Sequence, residues 1–149
     1  MATLAYNRRA LFDYNILEAF EAGIVLTGQE VKSIRTGHLN LAGSYVTIKD
    51  SEMSLVNAYI PPYQPKNVPA DYDASRTRKL LLRKQEINSL IGKIKQKGLT
   101  LVPLRVYTKG SKLKLEFGLA KGKKEFDKRA VIVEREDKRK IDRAMKDKF

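Results

Sequence analysis

The chain has 149 residues, enough for one domain, and its 30 Lys and Arg against 17 Asp and Glu give a net charge of +13. It has no cysteine and one histidine, His38, which excludes disulfides, thiolate zinc sites and cysteine nucleophiles and disfavours histidine metal clusters and Ser-His-Asp triads. It also has no run of about 18 apolar residues, so we expect no membrane span, and a cytoplasmic protein of a reducing compartment.

The positive charge points to a partner class. A field of this sign attracts polyanions by long-range steering and by release of condensed counterions. We therefore expect nucleic acid to be the partner. Simple solubility and contact with an anionic membrane surface are the alternative interpretations.

The first predicted elements are a short helix and a strand. In residues 9–22, Leu11, Ile16 and Phe20 recur at helical spacing, but the β-branched and aromatic residues of this stretch are equally compatible with an extended chain. We expect a helix first, then a strand through the sequence GIVL, residues 23–26.

A two-turn helix is predicted for the sequence QEVKSIRT, which lies between two glycines. Val31 and Ile34 fall on one face of this helix, whereas Lys32 and Arg35 fall on another. The two cations are therefore expected to point outward.

A β-hairpin and a long loop are predicted next. Residues 44–60 alternate between apolar and polar and are interrupted at Asp50–Ser51, as a hairpin turn requires. Residues 61–78 contain four of the five prolines and few aliphatic residues, which predicts an irregular connection. Loops of this length inside a compact domain are often functional.

The sequence KLLLRKQEINSLIGKIKQKG, residues 79–98, gives the clearest helical pattern. A stripe of four apolar residues ends near Gly98, which stands where a C-terminal cap belongs; the stripe consists of Ile87, Leu90, Ile91 and Ile94. Residues 99–120 then predict a second hairpin, with Leu104 and Val106 on one face and the turn at Lys109–Ser111.

Short antiparallel strands with sequential connections determine the fold class. We predict a mainly β protein with flanking helices, a small oligonucleotide-binding-type antiparallel β-barrel over residues 1–122, with an open α+β sheet as the alternative. From residue 121 onward there are twelve Lys and Arg, seven Asp and Glu, and few apolar residues. Residues 123–149 are therefore predicted to be a basic C-terminal tail that is disordered when free and helical only when bound.

The cations cluster in three stretches: NRRA at 7–10, SRTRKLLLRK at 75–84, and KGSKLKLEFGLAKGKK at 109–124. Together they predict one continuous surface facing the phosphates of an RNA. No phosphate-binding loop or acidic metal cluster is present, and Glu21 and Glu30 are expected to be surface or helix-capping acids rather than a catalytic pair. We therefore expect a protein that is not an enzyme and has no metal and no cofactor.

Several strings in the chain together resemble one family. NRRA, EAGIVLTGQEVKSIRTG, TRKLLL, GLTLVPLRVYTKG and GLAKGKKEFDKR occur in this order, before a basic tail. The chain thereby resembles the small protein B family, the SsrA-binding proteins of bacterial trans-translation. The resemblance implies an oligonucleotide-binding-fold barrel that binds the tRNA-like domain of transfer-messenger RNA and delivers it to stalled ribosomes, where the nascent peptide is tagged.

The resemblance also implies roles for particular residues. The RNA-contacting positions of the family correspond to Asn7, Glu21, Leu81 and Lys114. Asp127 to Arg129 and the residues after them would enter the decoding centre and the message channel, contacting small-subunit RNA, and Phe126 would stack on a ribosomal base. We expect a monomer; the alternative function is a general ribosome-associated RNA-binding factor, and an RNA-modifying hydrolase is more distant.

Sequence and resemblance together give two sets of predicted contacts. The predicted RNA-binding residues are Asn7, Arg8, Arg9, Glu21, Lys32, Arg35, Arg76, Arg78, Lys79, Leu81, Lys112, Lys114, Lys121, Lys123 and Lys124. The predicted ribosome-binding residues are Phe126, Asp127, Lys128, Arg129, Lys138, Arg139, Lys140, Ile141, Arg143, Met145 and Lys146.

Overall fold

A computed structural model of the chain describes residues 2–64, 66 and 68–123. The secondary-structure elements in these residues are, in chain order, β1 (Thr3–Tyr6), α1 (Arg8–Asp13), β2 (Tyr14–Ile24), α2 (Gly28–Arg35), β3 (Tyr45–Lys49), β4 (Glu52–Val56), β5 (Arg78–Leu81), α3 (Lys84–Lys97), β6 (Thr100–Lys109) and β7 (Lys112–Gly122). The predicted tail, apart from Lys123, lies outside the described residues.

The strands form one antiparallel sheet in the order β1-β6-β7-β2-β5-β4-β3. The sheet curls so that its last strand, β3, approaches β6, but no hydrogen-bonded ladder joins these two strands in the described part of the chain. A mainly antiparallel β structure with flanking helices is therefore confirmed, as a rolled sheet whose hydrogen bonding is open between β3 and β6.

The core lies inside the curl of the sheet. On β7, Leu113, Leu115 and Phe117 point inward, as their alternation with polar residues predicts. Helix α2 contributes Ile34, and helix α3 contributes Leu90 together with other residues of its apolar stripe. Burial of these side chains fixes which face of each strand is left for other contacts.

Local signals in the sequence correctly located several turns and ends. The first hairpin turns at Asp50 and Ser51, whose φ angles are 52° and 61°, the left-handed conformation that two-residue hairpin turns require. Helix α3 ends at Gly98, which has φ 60° and donates its N–H to the carbonyl of Ile94. The hairpin turn and the end of α3 therefore lie where the sequence predicted them.

Two strands were not predicted, and one helix begins later than expected. The prediction of helix over residues 79–83 is wrong, because α3 begins at Lys84 and the chain before it is strand β5. In β5, burial alternates with the period of a strand, and the strand pairs with both β2 and β4. Hydrogen bonding to its two neighbouring strands keeps β5 extended, although the helical pattern of α3 begins shortly after it. Strand β1, at the edge of the sheet, was also missed.

The expectation that Leu104 and Val106 share a face is also wrong. The pairing of β6 with β7 shifts register between Pro103 and Arg105, so Val106 packs in the main core and Leu104 in a second cluster beneath α1. The bulge inserts one residue and thereby reverses the alternation that the sequence pattern assumes.

A second register shift interrupts the pairing of β2 with β7, between Ile16 and Glu18. The two shifts flank Gly118, where an added Cβ would lie 2.8 Å from Cγ2 of Ile16. Close to this point β7 is covered on both faces, since Leu119 belongs to the main core and Ala120 to the cluster beneath α1. The sheet is therefore tightly packed where β7 approaches its end.

In the residues that the structure describes, no helix combines the length and the apolar character needed to cross a bilayer.

Candidate nucleic-acid interface

The outer face of the sheet carries side chains in two rows that run across neighbouring strands. In the first row, Thr3, Tyr107, Lys114, Gly23 and Leu81 are paired from β1 through β6, β7 and β2 to β5. Cross-strand partners of this kind point to the same side of a sheet. Two residues that the resemblance implicates, Leu81 and Lys114, thus lie on either side of Gly23.

The second row lies beside the first. Tyr6, Arg105, Glu116 and Glu21 are paired from β1 through β6 and β7 to β2. Glu21 is two residues from Gly23 on the same strand and therefore faces the same side. The sheet consequently gathers Glu21, Leu81 and Lys114 on one outward surface, although these residues are far apart in the sequence.

A groove runs along one end of the first row. Its volume is about 360 Å³, and its lining includes Leu81, Arg35, Lys112 and Lys114. Arg35 is held there by a hydrogen bond of 2.9 Å from its Nη2 to the carbonyl of Ser111 in the β6–β7 turn. Leu81 is more than half exposed, at 53%. The groove thus combines an apolar contact with three cations.

The carboxylate of Glu21 is held from two sides. The hydroxyl of Tyr107 donates to one carboxylate oxygen, and the ammonium of Lys109 lies 3.2 Å from the other. The Tyr107 hydrogen bond is the largest of several contacts that lower the pKa of Glu21. Burial and the neighbouring Glu21 carboxylate in turn raise the pKa of the Tyr107 phenol. Glu21 is therefore a fixed, ionised acceptor on the sheet surface.

Removing the Tyr107 hydroxyl should raise the pKa of Glu21 toward its ordinary value. We expect Tyr107→Phe to show this increase in an NMR titration of the Glu21 carboxylate, because the ring stays in place and only the donor is lost. Lys109→Met is a second variant and should also raise the pKa of Glu21, since Lys109 lowers it both by its hydrogen bond and by its charge. An unchanged Glu21 pKa in Tyr107→Phe would contradict the assigned hydrogen bond.

Arg105 connects the two rows. Its Nη2 and Nε lie 3.1 and 3.3 Å from Oε2 of Glu116, and its Nη1 donates to Oγ1 of Thr3 at 2.9 Å. Its guanidinium carbon also lies 4.5 Å from the centre of the Tyr107 ring, a cation–π geometry. Arg105, Tyr107, Lys109 and Glu116 were not among the predicted site residues. Lys109 and Glu116 stand in the basic stretch 109–124, and the sequence signal for Arg105 and Tyr107 is their alternation around the apolar Val106.

Arg78 was predicted to contact RNA, and the structure contradicts this. Its side chain is fully buried, with Nε 2.7 Å from Oε2 of Glu30 and Nη1 2.6 Å from the carbonyl of Ala58. Its Nη2 donates to the carbonyl of Ala74 at 3.0 Å. Arg78 and the alternating Leu80 point inward, whereas Lys79 and Leu81 point outward. Arg78 therefore holds the interior together.

Glu30 is the buried partner of this arginine, and the expectation of a surface or capping acid is only half right. It forms the predicted cap, since its Oε1 accepts the N–H of Thr27 at 2.9 Å while its own N–H donates to the Thr27 hydroxyl. Its side chain, however, is only 1% exposed. Burial alone would raise the pKa of Glu30, but the contacts from Arg76, Thr27 and Arg78 outweigh it and lower the pKa.

Asn7 is also interior rather than on the surface. Its Oδ1 accepts the N–H of Ala10, which caps α1, and its Nδ2 donates to the carbonyl of Pro103 at 2.9 Å. With these contacts and 7% exposure, Asn7 does not present its amide to a partner. The prediction of Asn7 as a direct RNA contact is therefore replaced by a role in fixing α1 on β6.

The remaining predicted cations are exposed or half-buried, and none of them lines the groove. Four of them lie around α1 and the end of β7: Arg8, Arg9, Lys121 and Lys123. Lys123 is anchored there, because its Nζ donates to the carbonyl of Leu11 at 3.0 Å. Seven residues of strand, about 23 Å, separate Lys114 from Lys121. Along β7, the predicted cations thus lie near the two ends of the strand.

Three other predicted cations have partners outside the groove. Arg76 lies 2.6 Å from Oε1 of Glu30 with its side chain 38% exposed. Lys79 faces outward and lies 3.5 Å from Glu52, and Lys32 lies 5.9 Å from the centre of the Tyr63 ring. Lys124 and all the predicted ribosome contacts from Phe126 to Lys146 lie outside the described residues and remain predictions.

The profile of the family described as SmpB protein matches residues 4–147, nearly the whole chain. The chain belongs to the SmpB family. The resemblance seen in the motifs is therefore confirmed. SmpB proteins also carry the name SsrA-binding protein in several bacteria, and the chain is similar to these relatives over almost their full length.

Two relatives and one solved structure illustrate the similarity. The SsrA-binding protein of Sulfurihydrogenibium is 53% identical over 146 residues, which cover 98% of this chain and 95% of that protein. The one from Thermosynechococcus vestitus is 51% identical over 143 residues, covering 96% and 94%. A solved chain described as "tmRNA-SmpB: a journey to the center of the bacterial ribosome" is 51% identical with a TM-score of 0.66, over 81% of this chain and 85% of that one.

The fold brings together part of the set of residues that the resemblance implicates. Of the four positions that the resemblance implicates, Glu21, Leu81 and Lys114 lie together on the outer face. Asn7 lies apart, beneath α1. The surface shared by the first three is the candidate interface of this SmpB chain.

Proposed function

We propose that this chain is a non-catalytic RNA-binding adaptor that binds the tRNA-like domain of transfer-messenger RNA and delivers it to stalled ribosomes. The observation that carries the proposal is the grouping of Glu21, Leu81 and Lys114 on three adjacent strands beside a cationic groove. Residues 1–122 are the RNA-binding domain of this proposal and residues 123–149 the ribosome-binding tail. The adaptor works in the cytoplasm.

The chemistry of the surface fits a structured RNA. Lysine and arginine side chains along the groove neutralise phosphates, which supplies affinity without reading sequence. A carboxylate such as Glu21 accepts hydrogen bonds from ribose hydroxyls and base amino groups, which a phosphate contact cannot do. Leu81 offers an apolar contact to a sugar or base. The surface thus has separate groups for affinity and for recognition.

Family membership supports the same proposal. The relatives are named for binding SsrA, and the solved neighbour is described with both tmRNA and the ribosome. SmpB proteins are an RNA-binding family, and we propose that this member, like an adaptor, performs no chemical step on its RNA.

A binding measurement on the groove tests the proposal. We expect Leu81→Asp to weaken binding to the tRNA-like domain by about 1–3 kcal/mol, because it places a charge in the apolar contact and beside RNA phosphates. Leu17→Asp is a matched control, since Leu17 is similarly exposed, at 57%, but does not line the groove. Affinity is measured by fluorescence anisotropy at several salt concentrations.

Two outcomes would contradict the proposal. Equal losses in Leu81→Asp and Leu17→Asp would show that charge alone, and not the groove, controls binding. Loss of tRNA-like RNA and of bulk duplex RNA at the same salt concentration would indicate a general ribosome-associated RNA-binding factor instead, because binding by phosphate contacts alone depends on salt in the same way for both.

A further inference from the structure

A second concave site lies where the second row ends at β1. It is a cleft of about 250 Å³ lined by Tyr6, Leu11, Leu104, Arg105 and Glu116. This volume is below the range of about 300–1,000 Å³ that is typical of drug-sized ligands. The cleft therefore suits one small group rather than a drug-sized ligand.

Exposed apolar side chains form the walls of the cleft. Tyr6 is 60% exposed and Leu11 54% exposed, and the two line the same cleft. An exposed aromatic ring next to aliphatic side chains is the arrangement on which unpaired bases stack.

The floor of the cleft offers both a hydrogen-bond acceptor and hydrogen-bond donors. Oε2 of Glu116 accepts both hydrogen bonds from Arg105, and Oε1 has no donor among the residues that the structure describes. Arg105 makes three hydrogen bonds, whereas a guanidinium has five donors. The edge of a base placed on Tyr6 would thus meet both an acceptor and a donor.

The residues around the cleft indicate that this base would be part of a polyanion. Arg8 is exposed and precedes Leu11 by three residues on α1, so the two share a face of the helix. The cleft is also continuous with the candidate interface, because Glu116 is paired directly with Glu21. A phosphate near Arg8 and a ribose near Glu21 would belong to one strand of RNA.

We propose that the Tyr6–Leu11 cleft binds one unpaired nucleobase of the RNA partner, with Tyr6 stacking on the base, Glu116 and Arg105 contacting its edge and Arg8 contacting its phosphate. This site rests on the proposed function and extends its interface across the sheet. It also gives Asn7 a part in RNA binding, as a positioning residue that caps α1 and so places Leu11 and Arg8.

The test compares RNAs with and without unpaired bases. Affinities of Tyr6→Ala are measured for the tRNA-like domain, for a blunt RNA duplex with the same number of phosphates, and for an unpaired RNA oligonucleotide. We expect about tenfold weaker binding to the two RNAs with unpaired bases, the effect of losing a base stack, and no more than about a twofold change for the duplex. Tyr6→Phe, which keeps the ring, should bind like the unchanged protein.

Tyr59→Ala is the matched control, since Tyr59 is also an exposed tyrosine, at 48%, but lies outside the cleft. Full affinity of Tyr6→Ala for the unpaired RNAs, equal losses on all three RNAs, the same loss in Tyr59→Ala, or failure of Tyr6→Phe to bind would each overturn the nucleobase site. The oligonucleotide keeps this result separate from the proposed function, which is judged by Leu81→Asp and by the preference of the unchanged protein for tRNA-like RNA.

Discussion

Replacing Arg78 by methionine is expected to lower the free energy of unfolding by about 3–5 kcal/mol, because it leaves the buried carboxylate of Glu30 with too few partners. The guanidinium also bridges β5 to the carbonyls of Ala58 and Ala74, so two loop segments lose their anchor. Urea unfolding followed by circular dichroism measures the loss. Arg76→Met is the comparison, and its effect should be smaller because its side chain is partly in solvent.

Two further measurements separate the buried pair from general damage. The double variant Glu30→Gln with Arg78→Met should lose less stability than the sum of the single variants, because no uncompensated buried charge remains. The lowered pKa of Glu30 means that its contribution is complete above its ordinary value of 4.5 and is lost as the pH falls through the lower pKa of the folded state. A variant Arg78→Met as stable as the unchanged protein would contradict the buried ion pair.

Removing everything after Lys124 is expected to abolish peptide tagging completely while leaving RNA binding intact. The residues of the groove and of both rows all lie before this point. The 25 residues removed carry nine Lys and Arg against seven Asp and Glu, so the long-range attraction for RNA changes little. A tagging assay on a message without a stop codon measures the first effect, and anisotropy with the tRNA-like domain measures the second.

Leu81→Asp in the full chain provides the opposite control, since it should lose RNA binding and tagging together. A truncated protein that still tags would show that the tail does not carry the ribosomal role. A truncated protein that no longer binds RNA would place RNA contacts in residues 125–149. Only a loss of tagging with retained RNA binding fits the proposed division of the chain.

Local periodicity predicted those parts of the fold that local interactions determine. The stripe from Ile87 to Ile94 and the cap at Gly98 located α3, and alternation located both hairpins. Strand β5 was missed because four residues carry too little periodicity, and its pairing partners lie in distant strands. The reversal at Leu104 follows from a bulge whose sequence signal is Pro103, because proline within a sheet is confined to edge strands and bulges.

The grouping of residues on the candidate interface followed from the motifs that identified the family better than from the positions of charged residues. Glu21, Leu81 and Lys114 came from the resemblance, and the sheet brings them together. Arg78 was assigned to the surface because it stands in a cationic stretch, but its partner Glu30 lies 48 residues away. Likewise, the hydroxyl that holds Glu21 belongs to a residue 86 positions further along the chain. Contacts between residues this far apart in the chain produce no short-range spacing pattern from which they could be predicted.

Strand β7 connects the candidate groove to the anchored residue Lys123. The groove lies near its beginning at Lys114, and the chain leaves its other end at Lys123, which is fastened to the carbonyls of Asp13 and Leu11. Between them the strand is paired on both sides and, around Gly118, closely packed. The strand is therefore a rigid spacer that holds the candidate groove about 30 Å from Lys123, the residue where the predicted tail begins.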